Sequence, residues 1–226
     1  FAFDRETGEP IWPIENRPVE QTVVPGNWTA ATQPFPTRPE PMEPLGLPDS
    51  DIIDFTPELR SEALEIVSRY NVGGAFLPRL YGDHSTGVED NIRCYGGLNI
   101  TNPATLDPTT GILYVASARR CGGGMVMPGI EADNPEAMAT TGTTLSQWVA
   151  GPGGGMGTVQ GLPLHKPPYS RLSAFDMNTG ERLWWVPVGD TPQTVLDHPA
   201  LEGVDLSRTG SGASSIQMVA GDLLYA

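Results

Sequence analysis

A chain of 226 residues, 38% apolar and holding 27 glycines and 23 prolines, is long enough for a sizeable core and is composed for short strands joined by many turns. Its 27 acidic against 13 basic side chains give a formal charge of −14, with Lys166 the single lysine, so nucleic acid is a poor partner. No apolar run approaches the roughly 20 residues that span a bilayer, and the first residues lack the charged and apolar regions of a secretory signal.

The first element is the phrase Ala2-Phe3-Asp4-Arg5-Glu6-Thr7-Gly8-Glu9-Pro10-Ile11-Trp12, which recurs as Ala174-Phe175-Asp176-Met177-Asn178-Thr179-Gly180-Glu181-Arg182-Leu183-Trp184. Ala, Phe, Asp, Thr, Gly, Glu and Trp recur in register, so the phrase is a repeat unit. Each copy reads as strand, tight turn, strand: Asp and Thr bond turn backbone, Gly takes the left-handed position, and the second copy restarts a strand at Leu183-Trp184-Trp185-Val186. This is the outer hairpin of a propeller blade. The closing tryptophans, Trp12 and Trp184, are expected to be largely buried between blades.

Residues 16–55 are rich in proline and polar residues and read as a surface excursion. A helix is predicted from about Pro57 to Tyr70, capped by Thr56, with Leu59, Ala63, Ile66, Val67 and Tyr70 on one face. Residues 104–116, with Asp107-Pro108-Thr109-Thr110-Gly111 at their centre, form an inner hairpin, and Asp107 is expected to build its turn. Residues 121–160 hold Gly122-Gly123-Gly124 and the run from Gly151 to Gly157 without a lysine or a strand-to-helix context, which reads as a loop rather than a phosphate cradle. Residues 215–226 read as another inner hairpin around Gly221-Asp222.

The repeated phrase resembles the tryptophan docking motif of the eight-bladed pyrroloquinoline quinone (PQQ)-dependent dehydrogenases. Gln21-Thr22, Pro25-Gly26 and Thr32-Gln33-Pro34-Phe35-Pro36 are similar to the Pro-rich stretch after a motif copy in membrane glucose dehydrogenase and quinate dehydrogenase-like proteins. Gly161-Leu162-Pro163-Leu164-His165-Lys166-Pro167-Pro168-Tyr169 resembles the family's approach to a later copy, and Val188-Gly189-Asp190-Thr191-Pro192 its exit.

The resemblance implies a mainly β, partial eight-bladed propeller of about two blades' worth: an outer hairpin at 1–15, an insertion at 16–90, a blade at 91–190 with a loop insertion at 121–170, and the start of the next blade at 205–226. Both chain ends are then expected to be cuts. The implied activity is oxidation of an alcohol, polyol or sugar, with a quinone or cytochrome c as electron acceptor, in the periplasm and with membrane attachment through a missing N-terminal region. The competing reading is a non-catalytic scaffold or sensor propeller sharing the docking motif, since fold alone does not separate the two.

By the same resemblance the catalytic Asp, the Ca²⁺ ligands and a quinone-contacting Lys precede residue 1, so no catalytic or metal residue is assigned here. Cofactor contacts are sought on the inner strands, where Asn99, Asn102 and Ser117 carry the amides and hydroxyl that bond PQQ oxygens. Thr101 and Ser117 stand where relatives often carry Trp and Asn. Arg119 and Arg120 are candidates for the cofactor's carboxylates, although paired arginines beside a loop more often face solvent.

Asp83, Glu89 and Asp90 read as solvated loop carboxylates. His84, His165 and His198 show no metal spacing and read as surface or loop histidines. Cys94 and Cys121, the only cysteines, flank the inner hairpin, and a disulfide and two buried thiols are about equally compatible with that placement.

Overall fold

The computed structural model describes residues 1–74, 76–81, 91–97, 103–128, 148–150, 158–206, 208–212 and 215–226. Its centre is one antiparallel blade of four strands: β6 (Thr105–Asp107), β7 (Ile112–Gly123), β12 (Ser170–Asp176) and β13 (Glu181–Pro187), hydrogen-bonded in that order. The long β7 continues past β6 and pairs there with β5 (Asn91–Gly97), which in turn carries the parallel β3 (Asn71–Gly73). Smaller pairs complete the sheets: β1 (Ile14–Pro18) with β2 (Thr32–Pro36), β10 (Thr158–Val159) with β11 (Leu162–Pro163), β14 (Met218–Ala220) with β15 (Leu223–Tyr225), and a sheet of β4 (Leu80–Tyr81), β8 (Met125–Pro128) and β9 (Trp148–Ala150).

Three tight turns share one chemistry. Asp4, Asp107 and Asp176 each accept backbone or hydroxyl hydrogens from the turn that follows, at 2.7–3.0 Å, and so hold the chain reversal locally. Gly8, Gly111 and Gly180 close these turns at φ of 76°, 75° and 74°, where an L side chain is strained. The inner and outer turns of the blade are stitched together, since Met177 N–H donates to Gly111 O at 2.9 Å and Asn178 Nδ2 to Thr110 O at 3.1 Å.

The first phrase folds into the same turn, with Gly8 N–H on Asp4 O at 2.9 Å and Ile11 N–H on Ala2 O at 3.0 Å. Its Trp12 lies against the second copy at Gly180. Trp184 departs from expectation: it is 41% exposed, in a run with exposed Leu183, Trp185 and Val186. Trp12, itself half-buried rather than largely buried, packs on the next copy of the phrase at Gly180, and these 226 residues hold no third copy to lie against Trp184.

The segment 16–55 is also not confined to the surface. After the β1–β2 hairpin it crosses the blade, where Arg38 Nη1 donates to Thr179 O at 2.7 Å and Arg182 Nη2 to Pro41 O at 2.6 Å, and then buries Glu43, Leu47, Ile52 and Ile53. Helix α1 (Pro57–Val67) follows, with Thr56 accepting from Leu59 N–H at 3.2 Å and Pro57 in the first turn. It ends three residues before Tyr70, because Ser68 to Tyr70 turn toward β3. Leu59 and Ala63 pack with Ile52, Ile53, Leu162, Leu164, Val195 and Leu201 into the main core. Among the described residues no helix is long and apolar enough to cross a membrane.

Candidate functional site

The excursion delivers a carboxylate into the blade. Glu43, 1% exposed, sits over Gly96, where a Cβ would overlap its side chain. Ser117, buried in the middle of β7, donates its hydroxyl to Glu43 Oε1 at 2.6 Å. Arg171 on β12 brings Nε to 3.0 Å from Glu43 Oε2, an ion pair by distance in which the N–H is poorly aligned for a hydrogen bond, since neither atom has a hydrogen-bond partner among the described residues. Burial pushes the Glu43 carboxyl above the usual range, opposed by the Ser117 hydrogen bond and by Arg171, Arg119 and Arg182.

Arg119 is turned inward, unlike a solvent-facing arginine. Its Nη2 pairs with Asp51 Oδ2 at 2.9 Å and donates to Gly46 O at 2.8 Å. Arg120, the next residue and so on the opposite face of the strand, is exposed. His165 is likewise no surface residue, at 3% exposure, and burial with Arg119 nearby lowers its pKa to about 4. It packs edge-on to Tyr169, whose hydroxyl burial pushes up to about 12. His198 caps a short helical turn through Ala200 N–H at 3.3 Å.

Cys94 and Cys121 are directly opposed on β5 and β7 and form a disulfide with a Cα–Cα distance of 4.0 Å. His165 Nδ1 lies 3.5 Å from Cys121 Sγ.

Of the residues assigned to the cofactor, Ser117 gives its hydrogen to Glu43, while Asn99 and Asn102 lie outside the described residues. Asp83, Glu89, Asp90, His84 and Thr101 also lie outside them. Among the described residues no group of three or more His, Cys, Asp or Glu is placed to hold a metal ion. The described residues alone thus do not fit a complete PQQ–cation site. Glu43, Asp51, Arg171 and Tyr169 belong to the polar centre without having been singled out from sequence. Arg171 carried a signal, as an arginine inside the small and apolar strand Ser170-Arg171-Leu172-Ser173-Ala174-Phe175.

A family model described as the PQQ glucose/ethanol/alcohol dehydrogenase β-propeller domain matches residues 1–226. Among curated relatives, the quinate/shikimate dehydrogenase (quinone) of Acinetobacter baylyi is 24% identical over 212 residues, covering 86% of this chain and 24% of its own. The glycerol dehydrogenase large subunit of Gluconobacter thailandicus is 25% identical over 211 residues, covering 84% and 27%. A probable quinate dehydrogenase (quinone) of Xanthomonas campestris pv. juglandis is 25% identical over 222 residues, covering 86% and 25%. The chain therefore spans about a quarter of the length of these relatives. No solved structure matches it.

Proposed function

Because the chain belongs to the PQQ β-propeller family of glucose, ethanol and alcohol dehydrogenases, we propose that it is part of a PQQ-dependent dehydrogenase oxidising an alcohol, polyol or sugar. The observation that carries this reading is the family match over residues 1–226, which takes in the Pro-rich connectors as well as the docking phrase. That extent favours the enzyme over a scaffold or sensor that shares only the phrase. Bound PQQ supplies the quinone that accepts the two electrons of the oxidation. A quinone or cytochrome c would be the electron acceptor, and Ca²⁺ would accompany the cofactor on ligands mostly outside these residues.

The chain's own contribution is to brace the blade where the excursion meets it. Glu43 ties Ser117 on β7 to Arg171 on β12, and Asp51 ties Arg119 on β7 to the excursion, so these buried strand positions are cross-braced by charge. The relatives named for quinate or glycerol point to a polyhydroxylated substrate. The Cys94–Cys121 disulfide supports an oxidising compartment such as the periplasm. Relatives about four times as long support the view that turnover needs residues beyond these 226, so the isolated chain is expected to be inactive.

Cofactor uptake tests the reading. The full-length gene product containing these residues, freed of cofactor, is titrated with PQQ in the presence of Ca²⁺ and followed by the quinone absorbance. Saturable uptake of one PQQ per chain is expected, and the absence of any saturable uptake contradicts it.

A further inference from the structure

The β1–β2 hairpin ends in a loop held by its own hydrogen bonds. Val19 N–H donates to Ala31 O at 3.1 Å, which continues the ladder past Pro18 and Thr32. Gln21 Nε2 bridges Val19 O and Ala30 O at 3.0 Å each, and Thr22 N–H donates to Thr29 Oγ1 at 3.0 Å. At the tip Asn27 N–H closes on Val24 O at 3.1 Å, with Pro25 and the left-handed Gly26, at φ 73°, as the central residues of the turn.

This ordered tip leaves its apolar side chains in water. Trp28, 78% exposed, and Val23, 70% exposed, are the two most exposed large hydrophobic side chains among the described residues. Trp184 and Trp185 are exposed on the blade face that lacks a third docking phrase, whereas Trp28 lies outside both copies. No residue from Gln21 to Thr37 is charged, in a chain of net charge −14. Arg17, lower on the hairpin, is already paired with Glu15 at 2.8 Å and stacked over Phe35.

We propose that this tip docks on a lipid bilayer, with Trp28 and Val23 inserted at the headgroup boundary. The size of the patch selects the partner. A specific protein interface takes about 800 Å² and roughly 20–30 residues a side, whereas a tryptophan supplies about 150–250 Å². Two side chains on an exposed turn fall short of the first. An indole at a membrane interface needs only lipid around its rings and water or a headgroup at its N–H. The uncharged run meets an anionic surface without the repulsion felt by the rest of the molecule. The contact is peripheral and separate from the oxidation reaction.

The test is sedimentation of the 226-residue chain with phosphatidylcholine vesicles, combined with quenching of tryptophan fluorescence by the same lipid brominated on its acyl chains. Association that salt does not abolish is expected, with quenching. Trp28→Ala is expected to weaken the association about tenfold and to remove most of the quenching, with circular dichroism unchanged. Trp28→Phe, which keeps an apolar ring, should retain most of the association, and Trp184→Ala, on the blade face, should leave it unchanged. No association with the vesicles, or association and quenching indifferent to Trp28→Ala, overturns the proposal. Self-association in size-exclusion chromatography that Trp28→Ala abolishes, without vesicle binding, also overturns it, by giving the tip to a second copy of the chain.

Discussion

Trp12 of the first phrase packs on Gly180 of the second: a Cβ built on Gly180 would stand 3.0 Å from Trp12 Cζ2 and 2.9 Å from Arg38 Cβ. Gly8 occupies the same turn position at nearly the same φ, yet a Cβ there would meet nothing within 4 Å. The pair separates backbone strain from the docking contact. Gly8→Ala is expected to cost about 1 kcal/mol and Gly180→Ala about 3 kcal/mol, the first being left-handed strain alone and the second adding a clash. Urea unfolding of both variants measures the difference, and in a Trp12→Ala background the excess at Gly180 should shrink.

The disulfide joins residues separated by 27 in sequence, which by loop-closure entropy corresponds to roughly 3–4 kcal/mol of stability. Thiol titration in denaturant without reductant should find no free thiol. After reduction it should find two, with a lower unfolding midpoint for the reduced chain.

Truncating Glu43 leaves Arg171 buried without its carboxylate and Ser117 without its acceptor. Glu43→Ala is expected to destabilise by about 3–5 kcal/mol and Ser117→Ala by about 1–2 kcal/mol. Because both remove the same hydrogen bond, the double variant should cost less than the sum of the two.

His165 makes stability depend on pH. Its folded pKa of about 4 lies below the ordinary 6.5 of an imidazole, so the unfolded chain binds the extra proton between these values. The contribution is therefore fully present above pH 6.5 and is lost as pH falls toward 4, by up to about 3 kcal/mol. Comparing unfolding free energies of the parent chain and a His165→Gln variant across that window isolates it, and the parent should lose its advantage on acidification.

The hairpins were legible because their turns are local: Asp4, Asp107 and Asp176 each bond within three residues of themselves, and the glycines mark the left-handed positions. Helix α1 was legible for the same reason, through Thr56 and Pro57. The polar centre was not, because its members are brought together over long sequence distances, as with Glu43 and Arg171 or Asp51 and Arg119. Proline-rich composition concealed that residues 43–53 enter the core, where Ile52 and Ile53 are fully buried. His165 looked like a loop residue until Ile52 paired with it and Ile53 with Leu164, closing the excursion over it. The disulfide needed the β5–β7 register, which two cysteines alone do not specify.

Dye-linked oxidation by the full-length gene product, with PQQ and Ca²⁺ supplied or withheld, tests the dehydrogenase reading most directly. Quinate, glycerol, glucose and simple alcohols serve as donors, and the isolated 226-residue chain as the comparison. Turnover of at least one hydroxyl donor is expected, appearing only with PQQ and absent from the isolated chain. Oxidation that proceeds equally without PQQ, or none with any donor when PQQ is bound, would contradict it.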